Sequence, residues 1–292
     1  MMKRGKKIMI WGIGIIVLLV TGILIWFNIS YSPMKAEFHR LLGSQLSNIK
    51  PESEVFTTGD ISGLPSPVQK YFNYCGFIGK PKMSDVRIFY NDVDFILSPD
   101  KPKLKIKYTQ CNFVEEPERL AFIDTSMYGI PFEGIDAYQG GAGSMKGVFA
   151  KSITLFDQKG SEFNMSSLVN CLAESLLVPN AALQDYIKWE SIDDTHARGI
   201  ISYYGLTAEG IFTFDGEGRM VDFTTDDRIS ISPDGKAQKV KWSALCQDYK
   251  DIGGVKLPNH LQGVWHYASG DLLYFDGRDI TVEYDMKTAG RK

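Results

Sequence analysis

The segment from Ile8 to Phe27 constrains this chain more than any other part of its sequence. Its 20 positions contain no charged residue. About 20 residues of α-helix, rising roughly 1.5 Å each, span the hydrocarbon core of a bilayer. Trp11 and Trp26 lie near the two ends, where aromatic side chains favour the membrane interface. The sequence therefore predicts a transmembrane anchor over residues 8–27.

Basic residues before this segment predict its orientation. The tail formed by residues 1–7 contains four of them, whereas residues 28–33 contain no charged residue. Basic residues favour the cytoplasmic side, so we expect a cytoplasmic tail and an extracytoplasmic remainder. A cleaved signal peptide is the alternative, but its apolar region is usually shorter and ends at a small-residue site. We expect an uncleaved, single-pass anchor in the cell membrane, with the lipid bilayer as its partner.

The composition after the anchor predicts a globular domain that does not bind nucleic acid. Hydrophobic residues make up 44% of the chain and charged residues 23%, which is typical of a protein with a packed core. Beyond the anchor there are 28 basic and 35 acidic residues, a net charge of −7. Because nucleic-acid binding needs basic surface, this balance excludes that class of partner.

Apolar residues at helical spacing predict three helices after the anchor. Residues 32–62 should form an amphipathic stalk helix, packed on the domain, followed by a polar linker. In the segment from Leu64 to Cys75, Pro67 suits a first helical turn, and apolar residues at Val68, Tyr71, Phe72 and Cys75 share one face. A third helix is expected from Met165 to Val178, ending before Pro179.

The rest of residues 63–285, the predicted extracytoplasmic domain, alternates between apolar and polar residues. The alternation extends from Val86 to Val148 and returns at regular spacing after residue 186, with turn residues between the runs. The sequence predicts a mainly β (α+β) fold, with a large curved antiparallel sheet or half-barrel packed on a few helices. A flexible tail is expected over residues 286–292.

No cofactor or metal motif is present. The glycine-rich stretch Gly140–Gly147 lacks the spacing of a phosphate-binding loop, and a hairpin or bulge is favoured. The four histidines lack metal-site spacing. The four cysteines have no C-x-x-C pattern, so they are either disulfide partners, with the pairing left open, or buried thiols. They are Cys75, Cys111, Cys171 and Cys246.

One polar cluster is a candidate catalytic site. Asp193 and Asp194 precede His196 and Arg198, which occupy one face of a predicted strand because they are two residues apart. Such a group could perform acid–base chemistry if it lay in a cleft. A solvated turn with a salt bridge is the more common role for this pattern. No G-x-S-x-G motif supports a serine hydrolase.

A second set of candidates would line a groove for an apolar ligand. Aromatic residues are numerous, and a curved sheet around a helix often leaves a cavity. Filling an ordinary core is the alternative role for the same side chains. The candidates are Trp189, Trp242 and Trp265 on the strands and Leu172 and Leu176 on the third helix.

Several motifs resemble an uncharacterised family of prokaryotic membrane-associated proteins. They are Leu64-Pro-Ser-Pro-Val-Gln-Lys-Tyr-Phe, Gly76-Phe-Ile-Gly-Lys-Pro81, Trp189-Glu-Ser-Ile-Asp-Asp, Phe212-Thr-Phe-Asp-Gly-Glu-Gly218 and Leu257-Pro with Gly-Val-Trp265. The resemblance covers Leu64 to Tyr284 and implies an architecture but no reaction. Leu177 departs from it, because the family often has tryptophan there. The expected fold is also similar to that of LolA-type lipoprotein carriers, and fold alone does not determine function.

The sequence thus favours a binding protein over an enzyme. The leading hypothesis is a groove for a lipid or another hydrophobic molecule near the membrane. The alternatives are an extracytoplasmic hydrolase that uses the acid cluster and a scaffold for envelope assembly, which would expose a large apolar patch.

Overall fold

The computed structural model describes residues 2–50, 52–97, 102–231 and 236–286. Within these ranges the helices are α1 (Met2–Asn28), α2 (Pro33–Asn48), α3 (Thr58–Ile61), α4 (Ser66–Cys75) and α5 (Ser161–Ala173). The first six strands are β1 (Asp85–Phe95), β2 (Leu104–Phe113), β3 (Arg119–Met127), β4 (Ile130–Gln139), β5 (Ala142–Phe149) and β6 (Ile153–Lys159). The others are β7 (Ile187–Ser191), β8 (His196–Tyr203), β9 (Leu206–Phe214), β10 (Met220–Thr225), β11 (Ile229–Ile231), β12 (Ala237–Lys239), β13 (Trp242–Ile252), β14 (Val255–Tyr267) and β15 (Gly270–Tyr284).

Thirteen of these strands form one antiparallel sheet, in the order β6-β5-β4-β3-β2-β1-β15-β14-β13-β10-β9-β8-β7. Strands β11 and β12 form a separate hairpin. Strand β1 pairs with the last strand, with Val86 opposite Tyr284, so two meanders join at the centre of the sheet. The alternating pattern of the sequence predicted strands between Val86 and Val148 and after residue 186, but not β6. The mainly β fold class is confirmed.

The sheet curls around α5. This helix packs against β5 and β6 near one edge of the sheet and against β8 and β9 near the other. Two glycines allow the approach: a Cβ atom at Gly143 would lie 2.4 Å from the carbonyl oxygen of Phe163, and one at Gly199 would lie 3.1 Å from Leu172. The expected half-barrel on a few helices is therefore present, with α5 between its two edges.

Helix α4 packs inside the same curve, through the face that the sequence predicted. Val68, Tyr71, Phe72 and Cys75 are at most 1% exposed. The Tyr71 hydroxyl donates a hydrogen bond to the carbonyl oxygen of Leu176, at 2.8 Å, just after α5. The two inner helices are thus joined to each other as well as to the sheet.

Helix α2 covers the outer face of the sheet. The Ser32 side chain caps it by accepting a hydrogen bond from the Lys35 amide at 3.0 Å. One face, which includes Met34 and Phe38, is buried against β3 and β4, and the Phe38 and Phe122 rings lie 5.2 Å apart. The stalk helix therefore forms part of the folded unit.

Two segments are more ordered than the sequence pattern predicted. The segment expected to be a linker contains α3 and buries Phe56 and Ile61, which are 1% and 3% exposed. Met286, expected to begin a flexible tail, is 5% exposed, and its amide donates to the Asp85 carboxylate at 2.8 Å. Isolated apolar residues create no periodic pattern, so such packing escapes sequence analysis. Residues 287–292 lie outside the described ranges.

The cysteines and the glycine-rich stretch have structural roles. All four cysteines are buried and free. Gly140 and Gly141, with positive φ of 55° and 80°, form the turn between β4 and β5. The hairpin expected for the glycine-rich stretch is therefore confirmed.

Helix α1 precedes this unit with its apolar side chains exposed, and it is long and apolar enough to cross a membrane. The N-terminal apolar helix predicted from the sequence is thus present.

Candidate functional site

The main candidate site is a cavity between the inner face of the sheet and α5. Its volume is about 270 Å³, close to the lower end of the roughly 300–1,000 Å³ typical of small-molecule sites. Aromatic and aliphatic side chains from β1, β2, β13, β14 and β15 form most of its wall, and β11 lies across it. The wall includes Tyr90, Phe95, Leu261, Leu272 and Phe275. The cavity therefore suits an apolar group.

An arginine whose charge is matched by carboxylates lines one end of the cavity. Arg119, the first residue of β3, is 5% exposed. Its Nε donates to the Glu174 carboxylate at 2.9 Å, its Nη1 to Asp136 at 2.8 Å and its Nη2 to the Tyr108 hydroxyl at 2.6 Å. Asn112 donates a further bond to Glu174 at 2.7 Å. One cation thus faces two carboxylates, so the positive charge of Arg119 is fully matched within the protein.

Electrostatics keep the Arg119 guanidinium charged. Burial disfavours its charged form, but the carboxylates of Glu174 and Asp136 and the Tyr108 oxygen raise its pKa well above the ordinary value. Burial also raises the pKa of the Tyr108 hydroxyl, which stays neutral. The cluster therefore holds a charged guanidinium in a fixed position.

A second arginine lies at the other end, in the segment between β10 and β11. The Cζ of Arg228 is 4.1 Å from the ring centroid of Trp242, 5.0 Å from that of Trp265 and 5.9 Å from that of Tyr274. Its Nη1 donates to the Tyr274 hydroxyl at 3.0 Å. Three aromatic rings therefore hold this guanidinium against the cavity wall through cation–π contacts.

Several half-buried lining residues lie along one edge of the sheet, the edge formed by the ends of the strands at the β1–β2 and β14–β15 hairpins. They are Ile96 and Leu97 after β1, Ile229 on β11, and Tyr267 and Leu272 at the β14–β15 hairpin. Because the strands are antiparallel, the hairpins β3–β4 and β5–β6 lie at the same edge.

The end of helix α1 is attached at this edge. Lys151, in the β5–β6 turn, is 5% exposed and donates to the carbonyl oxygens of Trp26 at 3.0 Å, Ile29 at 2.6 Å and Tyr31 at 3.2 Å. A lysine at a helix C-terminus satisfies carbonyls that have no partner within the helix. These half-buried lining residues and the end of α1 therefore lie along the same edge of the sheet.

The predicted ligand-binding residues divide into two groups. Trp242 and Trp265 line the cavity. Trp189 instead packs on Phe212, with ring centroids 4.9 Å apart, and its indole donates to Ala182. Leu172 and Leu176 are fully buried in the core. None of these last three residues lines the cavity: Trp189 lies on β7, and Leu172 and Leu176 pack against other core residues.

The predicted acid cluster lies in an exposed turn. The Asp193 carboxylate accepts bonds from the amides of Thr195 and His196, each at 2.8 Å, and lies 2.9 Å from the His196 ring Nδ1. The bond from the Thr195 amide and that from His196 lower the pKa of Asp193 to about 2. Asp194 is exposed, and Arg198 points to Glu190 and Glu209 at 3.8 and 3.9 Å. The four candidates do not converge in a cleft.

A different hydrogen-bonded chain, which the sequence did not indicate, lies on the outer face of the sheet. The His266 ring joins the Ser243 hydroxyl at 2.9 Å through Nε2 and the Asp271 carboxylate at 2.8 Å through Nδ1. This is the order of contacts in a serine hydrolase. Ser243 is only 5% exposed, however, and it does not line the cavity described above. Cross-strand neighbours form this chain, which lies apart from that cavity.

Sequence analysis missed Arg119 and Arg228. The partners of Arg119 are 17 and 55 residues away, so only the folded sheet brings them together. The available signal was an arginine directly before the apolar run at residues 120–123 of β3. Arg228 follows Asp226 and Asp227, and this charged segment gives no local sign that it borders a cavity. Within the described ranges there is no group of three residues that could hold a metal ion.

Three solved structures are similar to this chain. One is a LolA superfamily protein from Nitrosomonas europaea, at TM-score 0.37 and 14% identity, covering 74% of this chain and 91% of that protein. Another, from Vibrio parahaemolyticus, is a domain assigned to outer membrane lipoprotein sorting, at TM-score 0.40 and 10% identity, covering 72% and 87%. A DUF1329 family protein from Desulfovibrio piger has TM-score 0.31 and 10% identity, covering 89% and 96%.

No curated protein matches the chain. A family model does, and the matched residues 54–277 span α3, α4, α5 and the greater part of the sheet. The family resemblance inferred from the motifs is thereby confirmed. The chain belongs to DUF6544, a family of unknown function.

Proposed function

We propose that this protein is a membrane-anchored binding protein that holds the apolar part of a lipid, or of a similar amphiphile, between its curved sheet and α5. The observation that supports this most directly is the cavity of about 270 Å³, with its apolar wall and with half-buried lining residues along the edge to which the end of α1 is attached. Helix α1 is the anchor, and the basic residues before it favour a cytoplasmic N-terminus with the domain on the other side.

The size of the cavity favours one alkyl chain over a whole phospholipid. Burying about ten methylene groups, at roughly 0.8 kcal/mol each, contributes roughly 8 kcal/mol. Part of this is offset by the cost of association. We therefore expect dissociation constants in the micromolar range or weaker for a single chain.

Exposed apolar side chains at the same edge support a position close to the bilayer. Tyr128 at the β3–β4 turn is 97% exposed, and Ile153 and Leu155 on β6 are 55% and 53% exposed. They flank the turn whose Lys151 binds the end of α1. Apolar and aromatic side chains are favoured at a membrane interface, so this edge would face the lipid and give a ligand a short path to the cavity.

Native mass spectrometry of the full chain, extracted in a mild neutral detergent, tests the proposal. Ala244 on β13 lines the cavity, so Ala244→Trp should fill part of it. Leu245→Trp, the next residue, faces the other side of the sheet and is the matched control.

We expect a stoichiometric lipid adduct on the wild type and on Leu245→Trp, and its loss from Ala244→Trp. A wild-type protein that is free of lipid, or an adduct that persists in Ala244→Trp, would contradict the proposal.

A further inference from the structure

We propose that Arg228 binds the anionic group, a carboxylate or a phosphate, of an amphiphile whose apolar chain occupies the cavity. This inference rests on the proposed function and deepens it, because it gives the ligand a charge and an orientation. The first support is position. Arg228 lines the cavity beside the half-buried Ile229 and stacks on Trp242 at 4.1 Å, so its flat guanidinium is held in place before any ligand arrives.

The second support is unused hydrogen-bonding capacity. A guanidinium has five N–H donors. Among the described residues, the bond given by Arg228 is the one to Tyr274, and its Nε is buried without an acceptor. The Trp242 indole N–H, on the same wall, is also buried without an acceptor. Buried donors normally have partners, so two of them on one cavity indicate a missing acceptor-rich group.

The third support is unused charge. In the described part of the chain, no carboxylate oxygen lies within 4 Å of an Arg228 nitrogen. The adjacent Asp227 is turned away: it accepts from the Glu209 amide at 2.9 Å and lies 3.6 Å from Lys239. Removing a cation from water without an opposite charge is costly, and a bound anion would offset that cost.

The two ends of the cavity therefore differ in what they can bind. At one end Arg119 is matched by Glu174 and Asp136, which would repel a further anion. At the other end Arg228 is a cation with free donors, and the Ser230 and Tyr267 hydroxyls, 2.7 Å apart, lie on the same wall. An amphiphile would thus lie with its chain toward Arg119 and its anionic group at Arg228. Arginine suits both carboxylate and phosphate, because its donors match either geometry.

Titration calorimetry on the full chain in phosphatidylcholine nanodiscs tests this, with empty nanodiscs as the blank. The probes are decanoate, decyl phosphate and decan-1-ol, which share one chain and differ in the polar end. We expect at least one anion to bind the wild type about tenfold or more tightly than decan-1-ol. A decanoate preference would indicate a fatty-acid carboxylate, and a decyl phosphate preference a lipid phosphate.

Arg228→Gln should bring the affinity for the anions down to that for decan-1-ol, while the affinity for decan-1-ol changes less than about twofold, which shows that the cavity is intact. Arg228→Lys should give an intermediate anion affinity. Arg278→Gln, an equal change of charge at a side chain that is 62% exposed, is the control and should bind like the wild type.

Equal binding of anions and alcohol by the wild type, or full anion affinity in Arg228→Gln, would overturn the role of Arg228 and leave the apolar cavity standing. Binding of none of the three probes would overturn the proposed function itself.

Discussion

Arg119 allows the sharpest test of the ion pairs that stabilise its end of the cavity. Arg119→Met keeps an unbranched apolar side chain but leaves Glu174 and Asp136 without their cation. Removing one partner of a buried ion pair costs about 3–5 kcal/mol, because the other charge remains buried. The Glu174 and Asp136 side chains are 19% and 25% exposed, so water can reach them in part. We therefore expect the lower end of that range, about 3 kcal/mol.

A double-mutant cycle separates this interaction from general damage. Glu174→Gln alone should also destabilise the domain, because Arg119 then loses one of its two carboxylates. The double variant combines Arg119→Met with Glu174→Gln, so it contains no unpaired Glu174 charge. We expect the double variant to be about 2 kcal/mol more stable than the sum of the single effects predicts, within the range seen for residues in direct contact.

The assay is urea unfolding of the full chain in neutral detergent, followed by tryptophan fluorescence. Arg278→Met, at an exposed arginine, is the control and should lie within about 0.5 kcal/mol of the wild type. A cost below about 1 kcal/mol for Arg119→Met, or strictly additive effects in the cycle, would refute the argument that Arg119 neutralises these carboxylates.

Three further predictions concern other parts of the molecule. Burial raises the pKa of Asp222, so the stability that this residue contributes is present at low pH and is lost as pH rises from its unfolded pKa through its folded pKa. Urea titrations at several pH values should therefore show the unfolding free energy of Asp222→Asn rising relative to that of the wild type across this window. A constant difference between the two unfolding free energies would contradict this. Tyr71→Phe removes the bond to Leu176 and should cost about 1 kcal/mol by urea unfolding, whereas Tyr128→Phe, at a 97% exposed ring, should cost nothing measurable. In vesicles, an environment-sensitive fluorophore on Leu155→Cys should report an apolar surrounding and one on Ile211→Cys an aqueous one; equal spectra would argue against membrane contact at β6.

Much of the fold was predictable because its causes are local. The uncharged stretch in α1, the buried face of α4 and the strand alternation all depend on residues that are close in sequence. The site was much less predictable. Trp242 and Trp265 were identified and do line the cavity. Trp189, Leu172 and Leu176 are also large and apolar, but they pack in or against the core instead. Aromatic content cannot distinguish a cavity wall from a packed interior, because the difference depends on how far opposing elements are separated.

The sequence by itself determined the apolar N-terminal helix, the antiparallel strands and the family, since these follow from hydropathy, period and short motifs. Only the tertiary structure decided which charges meet. The packing of α5 on the sheet brings Glu174 to Arg119 across 55 residues, while Arg228 lies on an aromatic wall with no carboxylate of the described residues within 4 Å. Pairing across a sheet depends on long-range register and twist, and no local pattern in the chain records either of them.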